Sequence, residues 1–170
     1  NMKADMHESV ENEWLCSKIV AGFGLPVAAC DIGQFKDQKV LIVERLDRKL
    51  SLDESWVIRL PQEDMCQAKG LSPLRKYQND GGLGIADCMR ILDGAKDPQQ
   101  DKKIFFKAQV VFYLLFATDG HSKNFSVFHQ ARGKYALTPL YDILSAHPII
   151  GSKSDQIPIQ KANGYGCKRK

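Results

Sequence analysis

"LLFATDGHSKNFSVF" (residues 114–128) decides how this chain is read. An apolar run stops at Ala117, a short polar knot follows, and apolar residues resume at Phe125. Ordinary turns use Gly, Asn and Asp for backbone reasons alone. This one gathers Asp119, His121, Lys123 and Asn124, more polar chemistry than a change of direction requires.

The flanks of the knot are regular. Upstream, Pro98 suits the first turn of a helix. Ile104, Phe105, Ala108, Val111, Phe112, Leu115 and Phe116 then recur as a broad apolar stripe. Such width predicts a helix over 98–117 that is buried on most sides. Downstream, "FSVFH" (125–129) and "KYALT" (134–138) predict a hairpin around Ala131-Arg132-Gly133, followed by "PLYDILS" (139–145). Antiparallel strands return the chain to its origin, which would bring Asp142 beside the 119–124 loop.

Towards the N-terminus, residues 5–22 predict a helix. Asp5 and Glu8 are spaced as a capping box, and Val10, Trp14, Leu15, Ile19 and Val20 form an apolar face. Gly22, Gly24 and Pro26 stop it. "VAACDIGQF" (27–35) and "KVLIVER" (39–45) predict two strands around Lys36-Asp37-Gln38. "ERLDRK" (44–49) reads as a charged exit and "SWVIRL" (55–60) as another short strand. "QEDMCQAKG" (62–70) reads as a short helix, "LSPLRKYQNDGGLG" (71–84) as a loop, and "IADCMRILDGA" (85–95) as a helix. The order predicts an α+β chain: a small sheet piece at 1–48, then a mostly helical piece at 49–170.

The totals narrow the setting. At 170 residues the chain is one domain or little more. Lys and Arg number 24 against 20 Asp and Glu, a net charge of +4 that permits phosphate binding without arguing for it. The five cysteines form no CxxC pair and have no His at ligand spacing, so they read as reduced thiols in a cytoplasmic protein. The longest apolar run, "VVFYLLFA" (110–117), is too short to cross a bilayer, so no membrane is expected. Residues 1–20 do not read as a signal peptide. The chain opens abruptly near a helix, and its last residues, "ANGYGCKRK" (162–170), read as a cut or solvated end, so a fragment is expected.

The knot fits one chemistry well. Asp119 and Asn124 are five positions apart, the D-x-x-x-x-N interval of protein kinases, and Asp142 lies eighteen further on. Phosphoryl transfer needs one carboxylate to orient the acceptor hydroxyl and take its proton. It also needs a carboxylate and an amide to hold magnesium, which prefers hard oxygen ligands. Lys123 could neutralise phosphate charge and His121 could touch phosphate. Each reads equally well as a solvated or loop-bonding group, and Asp119-Gly120 as a plain turn. "IVERLDR" (42–48) is a strand running into a charged link, as a kinase hinge is. There the backbone of Glu44 and Leu46 would pair with adenine, and Asp47 would reach a ribose hydroxyl. The alternative is a solvated exit carrying an Arg45–Asp47 or Glu44–Arg48 ion pair of small worth.

Five segments, in order, carry a family resemblance: "VERLDR" (43–48), "IRLPQEDMCQAKGL" (58–71), "KYQNDGGLGI" (76–85), "ATDGHSKNFSVF" (117–128) and "LTPLYDILSA" (137–146). Together, from about Glu11 to Pro148, the chain resembles the HipA-type toxins, serine/threonine kinases of bacterial toxin–antitoxin systems. The resemblance implies a protein-kinase-like fold, with part of a small lobe followed by a mostly helical large lobe. It implies Asp119 as catalytic base with Lys123 beside it, and Asn124 and Asp142 as ligands of Mg2+. It implies ATP along Glu44, Arg45, Leu46, Asp47, His121, Tyr141 and Ile143. Implied partners are a protein substrate of the aminoacyl-tRNA synthetase class and a helix-turn-helix antitoxin, with DNA reached only through the antitoxin.

The sequence also departs from that family. It opens with no Gly-rich phosphate loop, Lys3 has no strand around it, and Leu46 stands where an aromatic can occur. The helical bundle expected after Pro148 is largely missing. Residues 1–170 are therefore expected to be nearly inactive alone, unless a small separate chain supplies the missing N-terminal segment. A truncated, non-catalytic module that binds an antitoxin or DNA is the alternative, and a small-molecule phosphotransferase of similar fold a third.

Overall fold

The computed structural model describes residues 8–150. Helix α1 (Ser9–Gly22) opens the described chain; Asp5, the first half of the expected capping box, lies outside it. Its buried face carries Asn12, Cys16, Ser17 and Val20, while Leu15 is exposed, so the helix is rotated from the apolar face the sequence suggests. The reason is Asn12. Its Nδ2 donates to the Ser145 carbonyl at 2.8 Å, and its Oδ1 accepts from Ser145 N at 3.1 Å. An amide satisfied on both sides costs little to bury.

Strands β1 (Cys30–Phe35) and β2 (Gln38–Val43) form the expected hairpin, packed on α1. Phe35 pairs with Gln38, so the turn is Lys36-Asp37 alone, with Lys36 at φ 54°. The next hairpin was half hidden. β3 (Arg48–Leu50), inside the supposed charged exit, pairs with β4 (Val57–Arg59). Its turn is tied by Asp53, whose carboxylate accepts from the hydroxyls of Ser51 at 2.6 Å and Ser55 at 2.7 Å.

"QEDMCQAKG" divides in two. Gln62–Asp64 is strand β5, and the helix α2 is only Met65–Ala68. Asp64 marks the change, because it caps α2 reciprocally with Gln67. β5 pairs with β6 (Ser126–His129), which pairs with β7 (Tyr135–Leu137), all antiparallel. Helix α3 (Ile85–Leu92) and helix α4 (Pro98–Leu114) pack together behind this sheet, and a short α5 (His147–Ile150) ends the described chain.

α4 starts as expected, with Asp97 capping Gln100 N at 3.1 Å and Pro98 in the first turn. It stops at Leu114, not at 117. Phe116 turns left-handed (φ 55°), and Ala117 N donates back to the Phe112 carbonyl at 2.8 Å. That is the geometry of a Schellman stop, here without glycine. Phe116 is held by the Ala146 N–H on its carbonyl at 2.9 Å and by His147 against its ring. One face of α4 (Phe105, Ala108, Val111, Phe112) enters the core. The other face leaves Phe106, Val110, Tyr113 and Leu114 exposed, so burial is one-sided rather than general.

The core joins α1, α2, α3, α4, β6 and the 140–143 segment. At its centre Phe125 packs edge-on against Phe105 (4.8 Å) and tilted against Phe112 (5.8 Å). A parallel bridge between Val27 and Leu140 ties the segment ahead of β1 to the segment after β7. Replacing Asn12 by Ala should cost about 1–3 kcal/mol, since it leaves buried Ser145 backbone groups unpaired. Urea unfolding of the variant against the unchanged chain measures this.

Candidate active site

Phe125 anchors the end of the polar knot, and a one-turn 3-10 helix, Ser122–Asn124, shapes it. Asn124 is buried, and its Nδ2 donates to the Asp119 carbonyl at 2.9 Å, closing the loop. That bond commits the amide nitrogen and leaves Oδ1 as the free acceptor. The Asp119 carboxylate is half exposed, and its Oδ1 accepts from the Tyr77 hydroxyl at 2.6 Å. His121 is buried; its Nε2 lies 3.8 Å from the same Oδ1, and its Nδ1 has no hydrogen-bond partner among the described residues. Burial pushes the His121 pKa down, against the opposing pull of Asp119.

Lys123 pairs with Asp64 Oδ2 at 3.0 Å, tying the loop to the cap of α2. Asp142 is exposed and left-handed (φ 57°), and its charge acts on His121, Lys76, Tyr141 and Glu13. The hairpin thus returns Asp142 to the electrostatic neighbourhood of the knot. Tyr141 fixes that return: its hydroxyl meets Ser126 Oγ at 2.5 Å and donates to the Lys123 carbonyl at 3.2 Å. Burial raises the Tyr141 pKa, so it stays a neutral phenol. The Ile143 side chain is buried in the core and lines none of the pockets described below.

Glu44, Arg45, Leu46 and Asp47 meet Tyr141, Ala28 and Gln62 around a pocket of about 340 Å³. Residues remote in sequence converge here because the Val27–Leu140 bridge draws the two ends together. The Glu44 N–H is already spent on the Ala29 carbonyl at 2.8 Å, so of its backbone groups only the carbonyl stays open. Gln62 Oε1 is buried with no partner among the described residues. Arg45 does pair with Asp47 at 2.9 Å, and Arg48 joins them. Those bonds, Arg45 first, hold the Asp47 carboxyl down at about 2.

β5 separates this pocket from another. Successive strand residues face opposite ways, so Gln62 faces the first pocket and Glu63 a second, of about 320 Å³, beside His129, Lys69 and Arg90. Among the described residues no three His, Cys, Asp or Glu side chains gather as a metal site. No described helix is long and apolar enough to cross a membrane, and among the described residues Cys16, Cys30, Cys66 and Cys88 form no disulfide.

Spacing assigns no role to Lys76 and Tyr77, which lie over the knot, or to Ser122, whose hydroxyl donates to the Lys76 carbonyl at 3.2 Å. The signal was an aromatic and a cation embedded in a Gly-rich loop, where a plain turn needs neither.

Residues 2–168 match the family described as HipA-like C-terminal domain. This chain belongs to that family. Y4mE of Sinorhizobium fredii, a protein named as a kinase, is 34% identical over 148 residues, 85% of this chain and 35% of its own length. The serine/threonine-protein kinase toxin HipA of Shewanella oneidensis is 32% identical over 151 residues, 82% of this chain and 34% of its own length. The HipA-like chain therefore spans about a third of the length of these relatives. The Shewanella oneidensis HipA in complex with HipB and operator DNA superposes with a TM-score of 0.78 at 27% identity, over 91% of this chain and 37% of that one. The Helicobacter pylori kinase CtkA shares the fold, with a TM-score of 0.54 at 17% identity over 79% of this chain and 45% of its own. The fold is thus α+β and kinase-like.

Replacing Tyr141 by Phe removes the hydrogen bonds that tie the returning segment to β6 and the knot. It should lower stability by about 1–2 kcal/mol, read from urea midpoints.

Proposed function

We propose that this chain carries the nucleotide cleft and catalytic loop of a HipA-type serine/threonine kinase. The observation that carries the proposal is the pocket where Glu44–Asp47 meet Tyr141, whose hydroxyl also donates to the Lys123 carbonyl of the knot; Asp142 would then face Asp119 and Asn124. Its volume of about 340 Å³ lies within the usual range for small-molecule pockets. Residues 1–48 would serve as the small-lobe side of the cleft and 49–170 as the large-lobe side.

The donor set fits ATP. The open Glu44 carbonyl would accept from the adenine amine, the Leu46 N–H would donate to the ring, and the unpartnered Gln62 Oε1 offers a further acceptor. Asp47, fixed by Arg45 and Arg48, keeps acceptor sites for a ribose hydroxyl. The donor set also fits magnesium, a hard cation, which Asn124 Oδ1 and the Asp142 carboxylate would hold. ATP with magnesium supplies the phosphoryl group and neutralises its charge.

The chain's own groups do the rest. Asp119 would orient the acceptor hydroxyl and take its proton. His121, kept neutral by burial, would lie along the phosphates. Lys123, paired with Asp64, would steady the loop more than it neutralises phosphate. The acceptor would be a protein of the aminoacyl-tRNA synthetase class, and a helix-turn-helix antitoxin would hold the kinase in check. The complex of Shewanella oneidensis HipA with HipB and operator DNA supports that partnership; DNA would be reached only through the antitoxin. The setting would be cytoplasmic.

Two preparations test this: residues 1–170 alone, and residues 1–170 joined by a small chain carrying a Gly-rich loop and a strand lysine. Both should bind Mg-ATP, and the second should transfer phosphate faster, since positioning supplies much of phosphoryl-transfer catalysis. Asp119→Asn should lower transfer by about 10²- to 10⁴-fold and leave nucleotide affinity within about twofold. Unchanged transfer in the variant would remove Asp119 from the mechanism.

A further inference from the structure

The loop between α2 and α3 lies over the polar knot, and its contact there is specific. The Tyr77 hydroxyl donates to Asp119 Oδ1 at 2.6 Å. Its ring stands edge-on to buried His121, with centroids 5.1 Å apart, and Lys76 Nζ sits 4.9 Å from the ring centre on its face. The backbone beneath is equally fixed. The Tyr77 carbonyl accepts from Asp80 N at 3.0 Å and Gly82 N at 2.9 Å. A Cβ at Gly82 would lie 2.3 Å from the Arg75 carbonyl and 2.7 Å from that of Tyr77, so the loop closes only with glycine there. Below, Ser122, fully buried, bonds both the Lys76 carbonyl and Cys66 Sγ.

A group held from this many sides is a strut rather than a lid. Asp119 is the exposed member of the knot, and it hangs from a loop whose other bonds hold its backbone, not its carboxylate. Tyr77 supplies the missing restraint. Its hydroxyl and His121 Nε2 converge on the same oxygen, Oδ1. Both contacts fall on Oδ1 of a half-exposed carboxylate, so Oδ2 is the oxygen left for an incoming hydroxyl. Burial and the bond to Asp119 raise the Tyr77 pKa, so the phenol keeps the proton it donates. Lys76 sits at the ring face, and Tyr77 first, then the charges of Asp119 and Asp142, raise its pKa.

We infer that Tyr77 is a positioning residue for phosphoryl transfer: its hydroxyl holds one oxygen of Asp119 so that the other meets the acceptor. This rests on the reading of Asp119 as the base. A carboxylate free to rotate spends less time aligned, and small misplacements of reacting groups are costly in rate.

The test is phosphotransfer from Mg-ATP to dephosphorylated casein, in the faster of the two preparations above, with Tyr77→Phe beside the unchanged protein. The Phe variant keeps the ring and loses the hydroxyl. The expected result is a fall in kcat of about tenfold, with KM for ATP and directly measured ATP affinity within about twofold. A kcat within twofold of the unchanged protein overturns the assignment, and so does a faster variant, which would make the loop an obstruction. Loss of ATP affinity together with kcat means that packing failed, and overturns it as well. Absence of transfer by the unchanged protein, with ATP still bound, defeats the kinase reading itself and Tyr77's role with it.

Discussion

The polar knot of this chain depends on one apolar contact. Phe125 wedges between Phe105 and Phe112, and the knot 119–124 is what the chain must do between leaving α4 and reaching that wedge. The stop at Phe116 steepens the approach, since a left-handed non-glycine residue is tolerated only where its surroundings enforce it. Ala146 and His147 enforce it from the far end of the chain. The same contacts that end the helix therefore also fix the segment carrying Asp142. Burial of aromatic surface, a non-directional force, ends up setting the course of the backbone that carries the polar side chains.

The second constraint is the meeting of the two ends. The Ala28 N–H and Leu140 carbonyl, and the Leu140 N–H and Pro26 carbonyl, bond at 2.8 Å each, and Asn12 grips Ser145 further along. Neither pairing could be inferred from spacing, because each spans more than a hundred residues. They nevertheless create the pocket at Glu44–Asp47, by placing Tyr141 and Ala28 on the same side of it.

What could be read directly was local. Long-range order in α4, the β1–β2 and β6–β7 hairpins and the polar knot all announce themselves through period and turn chemistry. The failures share a cause. β3 and β5 are three-residue strands whose existence depends on a partner, and charged residues such as Arg48 and Asp64 suggest exits or caps. Apolar spacing points to the wrong face of α1 because Asn12 looks solvated until Ser145 satisfies it. The stripe of α4 predicts burial on most sides because apolar residues occupy more of its circumference than the described core covers. At the site, D-x-x-x-x-N spacing pointed to Asp119 and Asn124, but Tyr77 lies 42 residues from its partner and no spacing rule reaches it.

The three residues of β5 form a partition one strand thick. Gln62 on one side and Glu63 on the other belong to separate cavities, and Asp64 hands the chain to a helix. Side-chain alternation makes such a wall unforgiving: dropping or adding one residue would exchange its two sides at a stroke. The Pro61 carbonyl, bonded by His129 N at 3.0 Å, and Met65 N, bonded to the Phe125 carbonyl at 2.9 Å, clamp it at both ends. Evolution of one cavity is thus never independent of the other, because any change that slides the wall redraws both rooms.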